Sequence, residues 1–505
     1  MITALILLGA VGVLGWGFYR ARPFGKLGIL AWLQSVVLMV PWLILFGLVA
    51  AGININLVGI LFLLIVSIGV YIFLGRQLRV ASQEEAGFDQ VSAWRKSPEK
   101  PSEKLEPDQA SADLPASTQD APPVPSSDPE AAPLVPPIPE AYLKAVQGIF
   151  GVDTFFATET VPCQEGAIFK GNLRGDPKPV YTQLSERLQA SLPDQYRLFL
   201  VENQEGKPVV IVLPRKNDPK PATLGQKIIA GVLLLATGAT CLETGSLLQG
   251  FDLFAAPDRI TETIPIGLGI LSILAIHEIG HQVLARRHQV RLSVPFLIPA
   301  WQIGSFGGLT RFESLVPNRT VLFDVALAGP AAGGIFSLLL LLLGLTLSNP
   351  NSLFQIPAPF FQGSLLVGTL TRVVLGDALQ ETLVAVNPLV VIGWLGLVIT
   401  ALNLMPAGQL DGGRMVQAIY GRKVAKRTTI ATLIILALVS LANPLALYWA
   451  VFILFLQRDL ERPSLEELSE PDDARAALAL LALFLMVATL VPLAPGLAGR
   501  LGIGG

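Results

Sequence analysis

The length of its uncharged, apolar segments constrains this chain more than any other feature. Residues 27 to 75 contain no Asp, Glu, Lys or Arg. A soluble surface needs charged side chains, whereas a helix of about 20 apolar residues crosses the hydrocarbon core of a bilayer. Only 15% of the 505 residues are charged, compared with roughly 25% in an average soluble domain. The sequence therefore predicts a polytopic α-helical membrane protein that interacts with the lipid bilayer.

Apolar stretches of spanning length form two membrane blocks. The first block, residues 1–75, has room for about three spans, and the second, residues 221–460, is followed by a C-terminal loop and span in residues 461–505. Asn443 and Pro444 interrupt one later run, which fits either a kinked span or a tight hairpin. The later spans are predicted near 225–248, 264–286, 322–347, 387–406, 428–457 and 475–494.

Between the two membrane blocks the sequence becomes polar. Residues 76–140 hold twelve prolines among Ser, Asp and Glu, and this composition predicts a disordered linker because it cannot bury enough apolar surface to fold. Residues 141–220 contain the β-rich runs YRLFLVEN and KPVVIVLP around a Gln-Glu-Gly turn, and PVYTQLSERLQASL has helical spacing. These residues predict a small soluble α+β domain, whose role could be substrate selection, partner docking or occlusion of a site.

Several classes of protein are disfavoured. The net charge of −2 gives no reason to expect a nucleic-acid partner. Cys163 and Cys241 predict neither a disulfide framework nor a cysteine-based metal site. The apolar start, MITALILLGAVGVLGWGFYR, favours a first span or anchor over a cleaved signal or an organellar transit peptide. The sequence does not indicate an oligomeric state.

Basic residues predict the orientation of the spans, because Lys and Arg favour cytoplasmic loops. Arg20, Arg22 and Lys26 follow the first span, and the clusters ARRHQVR (285–291) and GRKVAKR (421–427) fall on the same side after the later spans. The soluble domain is then also cytoplasmic. The C-terminal end of the 264–286 span is expected near the cytoplasmic surface.

That span carries the motif HEIGH, which includes His277, Glu278 and His281 in a chain with only three histidines. Histidines at positions i and i+4 lie on one helix face, where both can bind a single Zn²⁺ ion, and the glutamate between them can act as a general base. Ionisable groups are costly in a span and indicate function. The alternative is a pair of interfacial histidines bonded to neighbouring helices. His288, outside the span, is interpreted as a solvated interfacial residue.

A third zinc ligand is expected from the segment TALNLMPAGQLDGGRMVQAIYG. Asp411 follows an apolar span, Pro406 ends the helix before it, and two glycines after it allow a tight turn. A simple turn at a membrane exit is the alternative for these residues.

The HEIGH motif, together with Asn403, Pro406 and the Leu-Asp-Gly sequence at Asp411, resembles the site-2 proteases, the intramembrane zinc metalloproteases of peptidase family M50. The resemblance implies one zinc ion bound by His277, His281 and Asp411, with Glu278 as the catalytic base. GNLRG (171–175), GQLDGGR and FGGLTRF (306–312) are similar to the EGY branch of that family. The resemblance covers residues 165–425, and the lack of a transit peptide favours a cyanobacterial origin, in a plasma or thylakoid membrane.

Three neighbouring features remain open. The proline- and glycine-broken segment 292–312 is either an extended element that pairs with an unwound substrate or a loop at the interface. The small residues of AGPAAGG (328–334) suit close helix packing. Asn403 either donates a hydrogen bond to the substrate backbone or oxyanion, or packs between helices.

The function expected from this resemblance is regulated intramembrane proteolysis, the hydrolysis of a peptide bond in or near a transmembrane helix of a membrane protein substrate. Two alternatives use the same residues. A divalent-metal transporter could use His277, His281 and Asp411 as a transit site, but its other spans should carry further polar residues. A membrane scaffold could hold a structural zinc ion without catalysis.

Overall fold

The structure is a computed structural model that describes residues 138–503, apart from residues 164, 204, 302 and 458, together with scattered residues between 15 and 77. The predicted linker and most of the three N-terminal spans therefore lie outside the described residues. The chain forms two compact units, one of residues 1–130 with 439–444 and one of residues 131–438 with 445–505. The second unit holds the elements that concern the candidate site.

The first elements of this unit are α1 (Glu140–Gln147), β1 (Phe155–Cys163), β2 (Gly166–Leu173), α2 (Pro177–Ser191), β3 (Tyr196–Glu202) and β4 (Pro208–Pro214). The four strands form an antiparallel sheet that packs against the two helices. Strands β3 and β4 form the predicted hairpin, with Glu202 opposite Pro208. Helix α2 buries Val180, Leu184 and Leu188, which lie one turn apart on one face. Both predicted elements are confirmed, while β1 and β2 were not predicted because FFATETVPC is interrupted by polar residues and a proline.

The remainder of the unit is mainly helical. Within the described residues, four helices are long and apolar enough to cross a membrane: Leu224–Leu248, Pro257–Arg287, Arg319–Leu347 and Asp473–Leu490. Their ends lie within seven residues of the predicted spans near 225–248, 264–286, 322–347 and 475–494. The helices are α3 (Leu224–Leu248), α4 (Ile260–Arg287), α5 (Arg319–Leu347), α6 (Leu365–Leu375), α7 (Pro388–Asn403), α8 (Asp411–Val439), α9 (Pro444–Phe452), α10 (Asp473–Leu490) and α11 (Pro495–Arg500).

Two predicted spans differ from the structure. The span expected at 387–406 is the 16-residue helix α7, which ends before Pro406 because proline has no amide hydrogen to continue the ladder. The run expected at 428–457 is divided between α8, which bends at Gly421 with φ 78°, and α9. Residues 348–387, for which the sequence predicted no element, contain α6 and the antiparallel pair β7 (Phe354–Pro357) and β8 (Leu383–Val386).

Helices α4 and α7 both pack against α5. Small residues allow this, since a methyl group added at Gly280 of α4 would lie 2.5 Å from the carbonyl oxygen of Ala328 in α5. A methyl group at Gly393 of α7 would overlap the backbone of α5 at Leu341. Close backbone approach is the usual way in which small residues pack helices inside a membrane. Helices α4 and α7 are thus both held close to the backbone of α5.

The broken segment after α4 forms the two-stranded antiparallel hairpin β5 (Phe296–Ala300) and β6 (Gly304–Leu309). Helix α3 holds this hairpin, because the hydroxyl of Thr240 donates to the carbonyl of Gly304 at 2.6 Å and that of Thr244 donates to Trp301 at 3.4 Å. Part of the segment 292–312 is therefore extended, and its pairing with a substrate stays a prediction.

Residues 464–467, here called the bridging segment, connect the four-stranded sheet of β1 to β4 to the helical part. The amide of Leu200 in β3 donates to the carbonyl of Leu465 at 2.8 Å, and Glu467 donates back to Leu200 at 2.9 Å. On its other side, Leu465 donates to Val316 at 2.9 Å and Glu466 donates to Pro317 at 3.0 Å. Since β3 lies at the edge of its sheet, the bridging segment satisfies backbone groups that an edge strand leaves unpaired.

Candidate metal centre

Helix α4 and the first residue of α8 bring three side chains together. Nε2 of His277 lies 3.1 Å from Nε2 of His281. Oδ2 of Asp411 lies 3.3 Å from the former and 3.4 Å from the latter. All three side chains are buried. Among the described residues, this is the group of His, Cys, Asp and Glu side chains whose spacing suits a metal ion.

The triangle of donor atoms fits zinc. Zn–N and Zn–O bonds of about 2.1 Å in a tetrahedral site place neighbouring donor atoms about 3.4 Å apart, close to the three distances observed. Two histidines and one carboxylate leave the fourth corner open, as in catalytic rather than structural zinc sites. Asp411, a candidate ligand from its turn motif and from the family resemblance, lies beside the two histidines in the fold.

A further contact orients one of the histidines. Nδ1 of His281 lies 2.8 Å from the carbonyl oxygen of Val325 in α5. A carbonyl can only accept, so Nδ1 carries the proton and the Nε2 lone pair points towards His277 and Asp411. This is the outer hydrogen bond that commonly fixes the tautomer of a metal-binding histidine.

The small residues of α5 make room for both imidazoles. A methyl group added at Gly329 would overlap the ring of His281, and one at Gly333 would lie 3.0 Å from Cβ of His277. The AGPAAGG segment thus packs directly against the candidate ligands. Its expected role in close helix packing is observed at the site itself.

Glu278 lies beside the ligands with its two oxygens in different environments. Oε2 accepts a hydrogen bond of 2.8 Å from the hydroxyl of Thr310, which follows β6. Oε1 is buried and has no hydrogen-bond partner among the described residues. Buried carboxylate oxygens are normally satisfied, and those that are not often belong to reactive sites. Gly308 permits this approach, because a methyl group there would overlap Oε1.

Asn403 ends α7 next to the hairpin. Its side-chain nitrogen donates to the carbonyl of Ile399 at 2.8 Å and to that of Phe306 at 3.2 Å. These are packing contacts, and a hydrogen bond from Asn403 to a substrate stays a prediction. They hold β6 against α7 and keep the hairpin beside Glu278.

A small cavity of about 200 Å³ opens beside these residues. It is bounded by β6, the end of α7 and the start of α8. Its walls include Phe296, Gly308, Thr310, Asn403, Asp411 and Gln457. The cavity gives a peptide segment or a water molecule a place next to Asp411.

Three residues near the site were not found by sequence reasoning. The guanidinium of Arg414 donates to the carbonyl of Thr310 at 2.8 Å and to a carboxylate oxygen of Glu461 at 2.9 Å, and all three residues are buried. The signal available for Arg414 was its charge directly after the LDGG turn. No sequence pattern indicated that Glu461, in a loop beyond α9, would reach it.

His288 differs from its interpretation as a solvated residue. Its Nε2 lies 3.2 Å from a carboxylate oxygen of Asp324, which also pairs with Arg475 at 2.7 Å. The side chain of His288 is 27% exposed. It therefore joins the ends of three helices rather than facing solvent alone.

Comparison with known proteins gives two family matches. Residues 144–220 match the model described as EGY3 middle domain, and residues 266–442 match Peptidase family M50. The first match contains GNLRG (171–175), which begins in the last residues of β2 and ends just after that strand. The second contains all three candidate ligands and Glu278. No solved structure matches the chain significantly.

Related proteins share most of this region. The Arabidopsis thaliana protein named "Probable zinc metalloprotease EGY2, chloroplastic" is 40% identical over 70% of this chain and 65% of its own length. The one named "Probable zinc metalloprotease EGY1, chloroplastic" is 38% identical over 70% of this chain and 72% of its own length. The chain thus spans slightly less than two thirds of the EGY2 protein.

These relatives are named as chloroplast proteins of plants, so the comparisons do not bear out the expected cyanobacterial origin. The match to Peptidase family M50 covers both HEIGH and LDGG, and the match to the EGY3 middle domain covers GNLRG. The chain belongs to peptidase family M50, in the branch of the EGY zinc metalloproteases.

Proposed function

We propose that this chain is a zinc metalloprotease that hydrolyses a peptide bond in or near a transmembrane segment of a membrane protein. The proposal is carried by the His277, His281 and Asp411 triangle, with the unpartnered Oε1 of Glu278 beside it. The names of the relatives support the same chemistry. Regulated intramembrane proteolysis is the process in which such an activity would take part.

The roles of the residues follow from their chemistry. His277, His281 and Asp411 would hold one zinc ion, which when bound polarises a carbonyl and lowers the pKa of a water molecule. Oε1 of Glu278, free of protein partners among the described residues, would accept a proton from a water molecule at the site. The same oxygen then passes the proton to the leaving amine, as general acid–base catalysis requires.

The hairpin supports a mode of substrate binding. Strands β5 and β6 pair with each other within the described residues, and we propose that a backbone edge of this hairpin binds an extended peptide. An extended substrate segment that adds to this edge would lie next to Gly308 and Glu278. The transmembrane helix of a substrate would have to unwind locally, because the amides of a helix are internally hydrogen-bonded.

We propose a multi-pass membrane setting with the site near the cytoplasmic surface. Helices of spanning length support it. Arg286 and Arg287 also support it, because these basic residues lie in the last turn of α4, within two turns of His281. The soluble domain would lie on the same side. Its bonds to the bridging segment support a role for the domain in the access of substrates.

The test compares Glu278→Gln with wild-type protein in proteoliposomes that contain a membrane protein substrate with one span and labelled ends. We expect the variant to retain zinc and lose cleavage. Glu243→Gln is a matched control, because Glu243 is also a buried glutamate of an apolar helix with an unpartnered Oε1 within the described chain. This control should cleave like wild type.

Two outcomes would reject the proposal. Cleavage by Glu278→Gln at the wild-type rate would remove the glutamate from its role as base. Absence of cleavage by zinc-loaded wild-type protein, combined with zinc flux into the liposomes that Glu278→Gln does not change, would favour a transporter.

A further inference from the structure

We propose that Thr310, Arg414 and Glu461 form a buried chain of hydrogen bonds that positions the carboxylate of Glu278. The inference rests on the proposed function of Glu278 as base. It assigns a role in the active site to a residue, Glu461, that lies outside the 266–442 match to the peptidase family.

The first link is the hydroxyl of Thr310. It donates to Oε2 of Glu278 at 2.8 Å, and this leaves Oε1 as the oxygen without a protein partner. A glutamate side chain has several rotamers, and a single buried hydrogen bond to one oxygen selects the rotamer that aims the other. Removing the hydroxyl would leave both oxygens of Glu278 without a donor in the described structure.

The second link fixes Thr310 itself. Nη2 of Arg414 donates to the backbone carbonyl of Thr310 at 2.8 Å, and Nη1 lies 4.0 Å from Oδ1 of Asp411. The guanidinium also lies over the ring of Phe312, 5.1 Å from its centre. Arg414 therefore contacts both the segment that carries Thr310 and one of the candidate zinc ligands.

The third link fixes Arg414. Oε2 of Glu461 lies 2.9 Å from Nε and 2.8 Å from Nη2 of the guanidinium, which is a two-point contact that sets the plane of the arginine. The backbone of Glu461 is held in turn, because its carbonyl accepts from Gln417 at 3.2 Å and from Arg422 at 2.6 Å. Helix α8 thus anchors the loop that supplies the carboxylate.

Burial explains why the chain should act as a unit. Arg414 and Glu461 are 6% and 5% exposed, and a charge in such a place is tolerated only with a well-placed partner. The pair has little freedom to rearrange while it remains desolvated. A misplacement of about 1 Å at a reacting group can cost about 100-fold in rate, so a rigid support of this kind has a measurable consequence.

The first test replaces Thr310 with valine, which keeps its shape, and with serine, which keeps its hydroxyl. We expect Thr310→Val to lower kcat by about 10- to 100-fold, with KM and zinc content unchanged, and Thr310→Ser to recover most of the loss. Thr400→Val is the matched control, because the buried hydroxyl of Thr400 has no partner among the described residues. A wild-type kcat in Thr310→Val would overturn the inference.

The second test removes the ion pair without leaving one charge buried. The double variant Arg414→Met with Glu461→Leu should fold and lower kcat, and adding Thr310→Val to it should cause little further loss. Arg319→Met is the control, since Arg319 is equally buried and donates to Ala418 and Ile419 but does not contact Thr310. Fully multiplicative losses for Thr310 and the pair would contradict a single chain of contacts.

The third test reads the position of Glu278 without cleavage and so separates this inference from the proposed function. Benzohydroxamic acid, a zinc-binding probe that a neighbouring carboxylate can hydrogen-bond, is titrated into zinc-loaded protein by calorimetry. We expect Glu278→Gln and Thr310→Val to weaken binding to a similar extent, and Thr310→Ser to leave it unchanged. Weakening by Glu278→Gln alone would overturn the positioning role even if wild-type protein cleaved nothing, and weakening by neither would remove Glu278 from the site and overturn both proposals.

Discussion

Nδ1 of His281 lies 2.8 Å from the carbonyl oxygen of Val325, and this contact joins the helix that carries two candidate zinc ligands to the helix that carries none. Gly329 lies one turn after Val325 and directly under the imidazole ring. Helix α5 therefore both aims the histidine and leaves space for it. The orientation of His281 therefore also depends on Gly329, because any side chain there would overlap the imidazole ring.

The first prediction concerns Gly329→Ala. Its methyl group would overlap the ring of His281, so we expect the ring to turn away and zinc affinity to fall by about 10- to 100-fold, as for the loss of an orienting contact. Competitive titration against a zinc chelator measures this. Gly238→Ala in α3 is the control, because nothing lies within 4 Å of the added methyl group, and it should bind zinc like wild type.

The second prediction separates the base from the metal. A methyl group at Gly308 would overlap Oε1 of Glu278, so Gly308→Ala should reduce cleavage by about 100-fold and leave zinc content unchanged. Metal analysis and cleavage assays on the same preparation check it. A parallel loss of zinc would mean that the hairpin supports the ligands and not the base alone.

The third prediction tests the ligand that comes from α8. Asp411→Asn keeps the shape of the side chain but removes its charge, so the two histidines would face a neutral amide. We expect zinc retention after dialysis to fall well below one ion per chain, because an amide is a poor zinc ligand compared with a carboxylate. Asp377→Asn, at a side chain 85% exposed, should retain zinc fully.

The fourth prediction concerns pH and the bridging segment. Burial raises the pKa of Glu467 from 4.5 to about 7, with Glu202 and Glu466 acting in the same direction and Arg422 and Arg319 opposing them. Below pH 4.5 the carboxyl group of Glu467 is protonated in both the folded and the unfolded protein, and its full contribution to the free energy of unfolding is present. As pH rises through about 7 this contribution is lost, because the folded protein must then hold a buried charge.

The expected loss of stability is on the order of 3 kcal/mol. Glu467→Gln stays neutral at every pH, so its thermal midpoint should match that of wild type near pH 4 and exceed it near pH 8. Glu470→Gln is the control, because Glu470 is 76% exposed and should show the wild-type pH profile. An equal pH dependence in Glu467→Gln and wild type would contradict the role of this carboxyl group.

The sequence allowed prediction of the parts of this protein that depend on local pattern. The helices around HEIGH and the β3–β4 hairpin could be predicted because apolar periodicity and turn residues act over short distances. His277 and His281 were identifiable from the i, i+4 spacing within one helix. Asp411 required the family resemblance, since its meeting with the histidines depends on how α4 and α8 pack.

Contacts between distant segments could not be predicted in this way. Thr310 follows a strand and belongs to no sequence pattern that marks it, and its importance comes only from its hydrogen bond to Glu278. Glu461 lies in a loop whose composition resembles any polar connection. Strands β1, β2, β7 and β8 were missed because short strands with prolines or polar residues carry little periodicity, and tertiary pairing rather than local propensity stabilises them.

The bridging segment also has a consequence for the order of events during synthesis. The four strands of the sheet are made first, and α4 and α5 follow in the chain. The backbone bonds that join Leu200 to Leu465, and Val316 to Leu465, need a segment that is made only after α9. These bonds between the two parts can therefore form only when the chain is nearly complete, and a product truncated before the bridging segment would lack them.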